Sequence, residues 1–283
     1  MEVRNSSPGM MRRTGRLFDE QTGCSVIVAM DHGMGGVPEG FHDPGQLLSK
    51  VLEARPDGVL LNAGLAGRFS HLFARRDAPA LVLGIDQVIH SAPGGPAETH
   101  WPQTTVEEAL RLGADAVKSM LIMGNADLDA MAQNMAYLSQ AAELCRRWQI
   151  PLMIEPYLWG TKVPTDPAAR AAMNADGARV AVELGADLLK VEVPAVSETL
   201  RGIVAASPVP VLVLGGPRRP TQRETLADVV AAAEAGAVGL TIGRNVWGYP
   251  EPGPMIRALR IAISSRDLDR AMAELGRAPV ALA

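Results

Sequence analysis

Lys190 stands inside an apolar run, DLLKVEV at 187–193. An ammonium is expensive to bury without partners. Period-two alternation puts Leu188, Lys190 and Glu192 on one face. If that face lines an interior, a partly desolvated lysine has a lowered pKa and is a neutral amine near neutral pH. That is what a Schiff-base nucleophile needs to attack a carbonyl. The same residue also fits a strand-end lysine that snorkels to solvent or pairs with Glu192, and position alone leaves both readings open.

Other candidates share this character. Tyr157 ends PLMIEPY, where alternation aligns Met153, Glu155 and Tyr157. A phenol there could move protons beside an imine, or simply plug a barrel mouth. Asp31 ends the first apolar run and is followed by His32 and a glycine-rich loop. A carboxylate so placed can serve acid/base chemistry or hold a hydroxyl, or it can cap a turn. Lys118 occupies in GADAVK the place Lys190 occupies in GADLLK. It is a rival nucleophile or an electrostatic helper, and two interior lysines would lower each other's proton affinity.

An anion site is readable further on. VLGGPR at 213–218 and IGRN at 242–245 both leave a strand through glycine and reach arginine. Gly215, Gly216 and Gly243 let backbone N–H groups approach an anion closely. Arg218, Arg219 or Arg244 can add fixed charge.

The elements that must position these groups are short apolar runs at 25–31, 58–62, 81–86, 115–123, 151–157, 187–193, 209–216 and 237–244. They have strand length, and most have the near-continuous apolar character of strands buried on both faces. Helical patterns at 46–54, 128–148, 168–184 and 221–235 lie between them, the last opening on Thr221 with Glu224 three residues on. Eight such runs, with a helix possible after each, predict a single (β/α)8 TIM barrel over 25–265. Residues 1–24 read as an N-terminal extension and 266–283 as a C-terminal helix and tail. In such barrels the chemistry sits at the C-terminal ends of the strands, and phosphate is often held after strands seven and eight.

Composition narrows the classes. The 283 residues carry 27 Lys and Arg against 31 Asp and Glu, a net charge of −4, which offers no basic field for nucleic acid. No apolar run is long enough to span a bilayer, and the first twenty residues lack a signal peptide's apolar stretch, so a cytoplasmic protein is expected. Cys24 and Cys145 read as core residues. The five histidines form no HxH or HExxH pair, and a dispersed metal site from Asp86, His90 and Glu155 has little support from spacing. Neither a GxGxxG nor a GxxxxGK[ST] motif is present.

MDHG at 30–33, YLWG at 157–160, LGADLLK at 184–190, GGPR at 215–218 and GRNVW at 243–247 occur in one order along the chain. Together they resemble the archaeal-type class I fructose-bisphosphate aldolase family of Schiff-base enzymes, over about residues 25–263. The resemblance implies Lys190 as the imine-forming lysine, Tyr157 as proton donor or acceptor, and Asp31 with its neighbour His32 as groups that assist proton transfer or orient hydroxyls. It implies phosphate binding by Gly215, Gly216, Gly243 and Arg244, with Arg218 where the family typically has lysine. Lys118 and Glu155 remain candidate helpers. This chain departs from the family at Tyr-Pro-Arg-Gly, which here reads YLWG, and at the turn after the lysine strand, here VPAV at 193–196. Glu155 and Glu192 are also acids where the family does not lead one to expect them.

The expectation is a metal-independent class I aldolase that makes or breaks a C–C bond in a phosphorylated ketose, with no cofactor beyond the covalent imine. Its partner would be a small-molecule sugar phosphate, with neither nucleic acid nor membrane involved, and the family implies a homo-oligomer. Two alternatives stand beside it. One is a transaldolase- or thiolase-like Schiff-base enzyme on another sugar or a dicarbonyl; the other is a non-catalytic sugar-phosphate-binding barrel.

Overall fold

The computed structural model describes residues 7–37, 39–90, 97–193 and 197–276. Among them ten strands form: β1 (Ser25–Ala29), β2 (Gly58–Asn62), β3 (Ala80–Gly84), β4 (Asp86–His90), β5 (Ala97–Pro102), β6 (Ala116–Met123), β7 (Leu152–Leu158), β8 (Leu188–Val191), β9 (Val211–Leu214) and β10 (Gly239–Ile242). Eight close into a parallel barrel in the order β1-β10-β9-β8-β7-β6-β3-β2, and β4 and β5 pair as a separate hairpin. Each of the eight apolar runs supplies one barrel strand, and helices surround them. This is a (β/α)8 barrel.

The strands are apolar on both sides because each side has a separate layer to fill. Val26, Val28, Val59, Leu61, Leu81, Leu83, Val117, Ile154, Leu189, Val213 and Ile242 face the helices. Ile27, Ala29, Leu60, Ala80, Val82, Ala116, Met153, Leu188 and Leu212 fill the barrel interior. The phrase GAD that precedes both Lys118 and Lys190 has a structural cause. Gly113 (φ 82°) and Gly185 (φ 100°) take left-handed turns out of a helix. Asp115 then accepts from the N–H of Leu81 at 3.1 Å, and Asp187 accepts from that of Leu152 at 3.0 Å. Asp57 does the same for Val26 at 2.7 Å. Each aspartate ties the entry of its strand to the neighbouring strand.

One feature departs from the sequence reading. A hairpin intervenes between β3 and the helix Val106–Arg111. Its strands, DQVIH and AETHWP, mix polarities and carry no clean period, so hydrophobic pattern could not announce them. The segment read as an N-terminal extension contains a helix, Pro8–Arg16, and then Leu17, fully buried with Phe18 against the interior layer. It closes the N-terminal end of the barrel. At the other end of the chain the helix Leu268–Leu275 falls in the expected tail, of which 277–283 lie outside the described residues.

Candidate active site

One pleat above the apolar interior layer, the inward positions turn polar. Asp31 follows Ala29, Lys118 follows Ala116, Glu155 follows Met153 and Lys190 follows Leu188, each two residues on, at the C-terminal end of the barrel. Alternation thus delivers the four side chains to one level. Glu155 Oε2 lies 2.8 Å from Lys118 Nζ and 2.8 Å from Lys190 Nζ, and Asp31 Oδ2 is 3.9 Å from Lys118 Nζ. Two ammonium and two carboxylate groups balance in charge, which makes their burial tolerable; exposures are 2% for Lys118, 4% for Glu155, 6% for Lys190 and 8% for Asp31.

The electrostatics follow from this packing. Burial would raise the pKa of Glu155, but Lys118 and Lys190 outweigh it and hold the carboxyl below its ordinary range. Asp31 is likewise held low by Lys190, His32 and Lys118 against its own desolvation. Desolvation would lower Lys118, but Glu155, Asp31 and Asp86 drive it above the usual lysine value. For Lys118 this corrects the expectation of a depressed proton affinity: the Glu155 carboxylate stands between it and Lys190. Glu192, offered as a partner for Lys190, turns away and pairs with Arg170 at 2.8 Å.

Tyr157 continues the inward face of β7 above Glu155. Its ring stacks on Trp159 (centroids 5.1 Å apart, planes at 10°) and packs against Val88, Met120 and Ile122. Burial, then the nearby Glu155 carboxylate, raise its pKa, so the phenol is a proton-bearing group at neutral pH. His32 opens the turn His32–Gly35 and stands edge-on to Trp247, with centroids 5.4 Å apart. Its Nδ1 is 3.4 Å from Asp31 Oδ1, yet that buried nitrogen makes no hydrogen bond. Desolvation lowers the His32 pKa, keeping the ring neutral.

Supporting residues hold this level in place, and of them the sequence singled out only Asp86, for a different role. Asn62 donates to the Asp31 carbonyl at 2.9 Å and accepts from Gln87 at 2.9 Å. Asp86 accepts from Ser119 Oγ at 2.5 Å and Met120 N at 2.9 Å, and His100 Nε2 is 2.9 Å away. Asn134 accepts from Ile122 N and donates to Met120 O, both at 2.9 Å. The readable signal was a polar residue ending an apolar run, as in GVLLN and LVLGID. Asp86 is engaged by Ser119, Met120 and His100 and Glu155 by the two lysines, and the described residues contain no group of three side chains poised for a metal. The side chain of His90, the third residue of that dispersed set, lies outside the description. Cys145 is buried and Cys24 half-buried.

The exits of β9 and β10 meet beside this level. Gly216 takes a left-handed φ of 63° with open space around it, and a Cβ on Gly215 would collide with the Ile242 side chain. A Cβ on Gly243 would lie 2.6 Å from the Ala29 carbonyl oxygen. Asn245, fully buried, binds the two loops together. Its Nδ2 donates to Gly215 O at 2.8 Å and Pro217 O at 3.0 Å, and its Oδ1 accepts from Arg219 N at 2.8 Å. Trp247 donates to Ala29 O at 2.8 Å, fixing the same loop to β1. The GRNVW motif is therefore largely a clamp. Arg244 is exposed, and its charge reaches both His32 and Tyr157. Arg218 lies over the Tyr249 ring at 5.0 Å, and Arg219 pairs with Asp228 at 2.6 Å. A cavity of about 670 Å³ backs onto this loop from the helix side, reaching Asn174 and Val229.

A (β/α)8 barrel with lysines and carboxylates on one buried level beside a tyrosine is the architecture of a lysine-dependent aldolase. The comparisons agree. The DeoC/LacD family aldolase model matches residues 25–248, and the chain belongs to that family. An uncharacterized aldolase of Saccharolobus solfataricus is 30% identical over 265 residues, 92% of this chain and 96% of the relative. A 2-amino-4,5-dihydroxy-6-oxo-7-(phosphonooxy)heptanoate synthase of Streptomyces griseus is 34% identical over 246 residues, 86% of each chain. The crystal structure of an archaeal fructose 1,6-bisphosphate aldolase superposes with a TM-score of 0.77 at 28% identity, covering 90% of this chain and 99% of the other. The protein is accordingly a carbon–carbon lyase of the class I aldolase type.

Proposed function

We propose that the enzyme forms or cleaves a C–C bond in a phosphorylated ketose through an imine on Lys190. The observation that carries this reading is the 2.8 Å contact between Lys190 Nζ and Glu155 Oε2 on the buried level beneath Tyr157. Glu155 takes the proton that Lys190 must lose before its amine adds to the ketone carbonyl, and returns it to the hydroxyl that departs as water when the carbinolamine becomes an iminium. In cleavage, the proton of the hydroxyl on the departing carbon passes to a base, and the C–C bonding pair moves into the iminium, leaving an enamine and releasing an aldehyde. Tyr157, with Asp31, relays that proton and delivers one to the enamine carbon; hydrolysis then frees Lys190. Lys118 stays charged and stabilises the oxyanion.

The unpartnered Nδ1 of His32 serves a substrate hydroxyl, and Gly215, Gly216, Gly243 and Arg244 receive the phosphate, with Arg218 able to leave Tyr249 and join them. No metal or organic cofactor enters this scheme. The relatives bear names of both a bisphosphate aldolase and a phosphonooxy-heptanoate synthase. We therefore assign dihydroxyacetone phosphate, or a close analogue, as the ketone half. Among the described residues no helix is long and apolar enough to cross a membrane, and we place the enzyme with soluble metabolites in the cytoplasm. The test is borohydride reduction with dihydroxyacetone phosphate followed by peptide mass mapping. An adduct on Lys190 is expected; an adduct on Lys118 would move the nucleophile, and none on either would remove the imine reading for this donor.

A further inference from the structure

The ring order of the barrel sets β10 four places from β6, and β9 four places from β3, so each pair faces across the mouth. The two sides opposed in this way differ in charge. On the β9–β10 side stand Arg218, Arg219 and Arg244. On the β3–β6 side, residues 77–110 contain no lysine or arginine, nor do residues 119–145. Lys118, on β6, is already matched by Glu155 and Asp31.

What the far side offers instead is apolar surface. Val88, Met120 and Ile122 form a cluster against Tyr157. The β4–β5 hairpin rests on the turn His32–Gly35 and exposes Ile89 (44%) and Trp101 (39%). Ile89 and Trp101 stand on the face of the hairpin opposite Val88, so the wall on this side is the buried Val88, Met120 and Ile122 cluster against Tyr157. A dianionic phosphate driven against that wall would lose water and find no cation in return.

We infer that the substrate carries one phosphate, on the ketone half, and that the aldehyde half lying against the β3–β6 wall is uncharged. The inference rests on the aldolase reading above and narrows it, since a ketose bisphosphate would place its second phosphate on the cation-free side. Lys162, exposed on the loop after β7, is the one lysine or arginine on the loops that follow β6, β7 and β8, so it is included in the test.

The test is condensation by the purified enzyme, with dihydroxyacetone phosphate saturating and three acceptors: glyceraldehyde, propanal and glyceraldehyde 3-phosphate. The better neutral aldehyde is expected to exceed the phosphorylated one in kcat/KM by about tenfold or more, the scale on which an unpaired polar group is rejected. Lys162→Ala is expected to leave the ratio unchanged. A smaller advantage for the neutral aldehydes, a preference for glyceraldehyde 3-phosphate, or loss of such a preference in Lys162→Ala would overturn the inference. So would a borohydride adduct on Lys190 with no turnover of any acceptor. In each of these cases the adduct keeps the aldolase reading, whereas absence of both adduct and turnover would defeat that reading as well.

Discussion

Lys118 on β6 and Lys190 on β8, the strands flanking β7, reach the same oxygen of one carboxylate, Glu155 Oε2, each at 2.8 Å. Lys118 has Asp31 and Asp86 behind it and is held charged. Lys190 lies in the field of Asp31 as well. Were Glu155 to take a proton from Lys190 it would become a neutral acid, and Asp31 and Asp86 would still balance the charge of Lys118.

Replacing Lys190 by Met is expected to abolish turnover and the borohydride adduct together. Lys118→Met should leave an adduct on Lys190 but reduce turnover by about 10²–10³, the usual cost of one stabilising charge. Adduct mapping and steady-state rates on both variants decide this; full activity in Lys190→Met would sink the assignment.

Glu155→Gln retains the shape of the site but removes the carboxylate proposed as the base. Imine formation, followed as single-turnover adduct accumulation, is expected to slow by about 10²–10⁴ and to recover partly as pH rises. Glu155→Leu leaves two buried ammonium groups facing each other, and should cost about 3–5 kcal/mol in urea unfolding. A pH profile unchanged in Glu155→Gln would assign proton transfer elsewhere.

Tyr157→Phe keeps the stack on Trp159 and loses only the hydroxyl. Trapping of the donor should persist, while cleavage slows by about 10²–10⁴. Equal cleavage rates in the two proteins would remove Tyr157 from the proton path.

Acid should destabilise the fold in two stages. His32 has a folded pKa below its ordinary 6.5, so the unfolded state binds more protons just below that pH and stability falls there first. Asp31 and Glu155, both held low, contribute stability that is complete above the ordinary carboxylate range and is lost as pH drops through their depressed values. At the alkaline end, the stability from Lys118 is complete below its ordinary 10.5 and declines only above it. Urea midpoints across pH check the order; His32→Gln should flatten the first stage alone.

Asn245→Ala unties the β9 loop from the β10 loop. The change is expected to raise KM for the phosphorylated donor more than it lowers kcat, and to cost about 1–3 kcal/mol for the carbonyls and N–H left unpaired. A lowered kcat with unchanged KM would place Asn245 in catalysis, not in shaping the anion loops.

The sequence by itself determined the barrel and most of its inward level. Eight continuous apolar runs can be satisfied only by strands covered on both faces, and a lysine or glutamate two residues beyond an inward apolar residue has to point inward too. The repeated GAD and the GRNVW motif were legible as phrases, though not as the strand-entry ties and loop clamp that they are. Tertiary structure alone decided the rest. Whether Lys190 met Glu192 or Glu155 depended on the register of β7 against β8, because alternation fixes a face and not a neighbour. Which side of the mouth would be bare of cations depended on ring closure, which sets β3 and β6 opposite β9 and β10. The hairpin, with no period of its own, took its place from the Asp86, His100 and Ser119 contacts, which join residues distant in the chain.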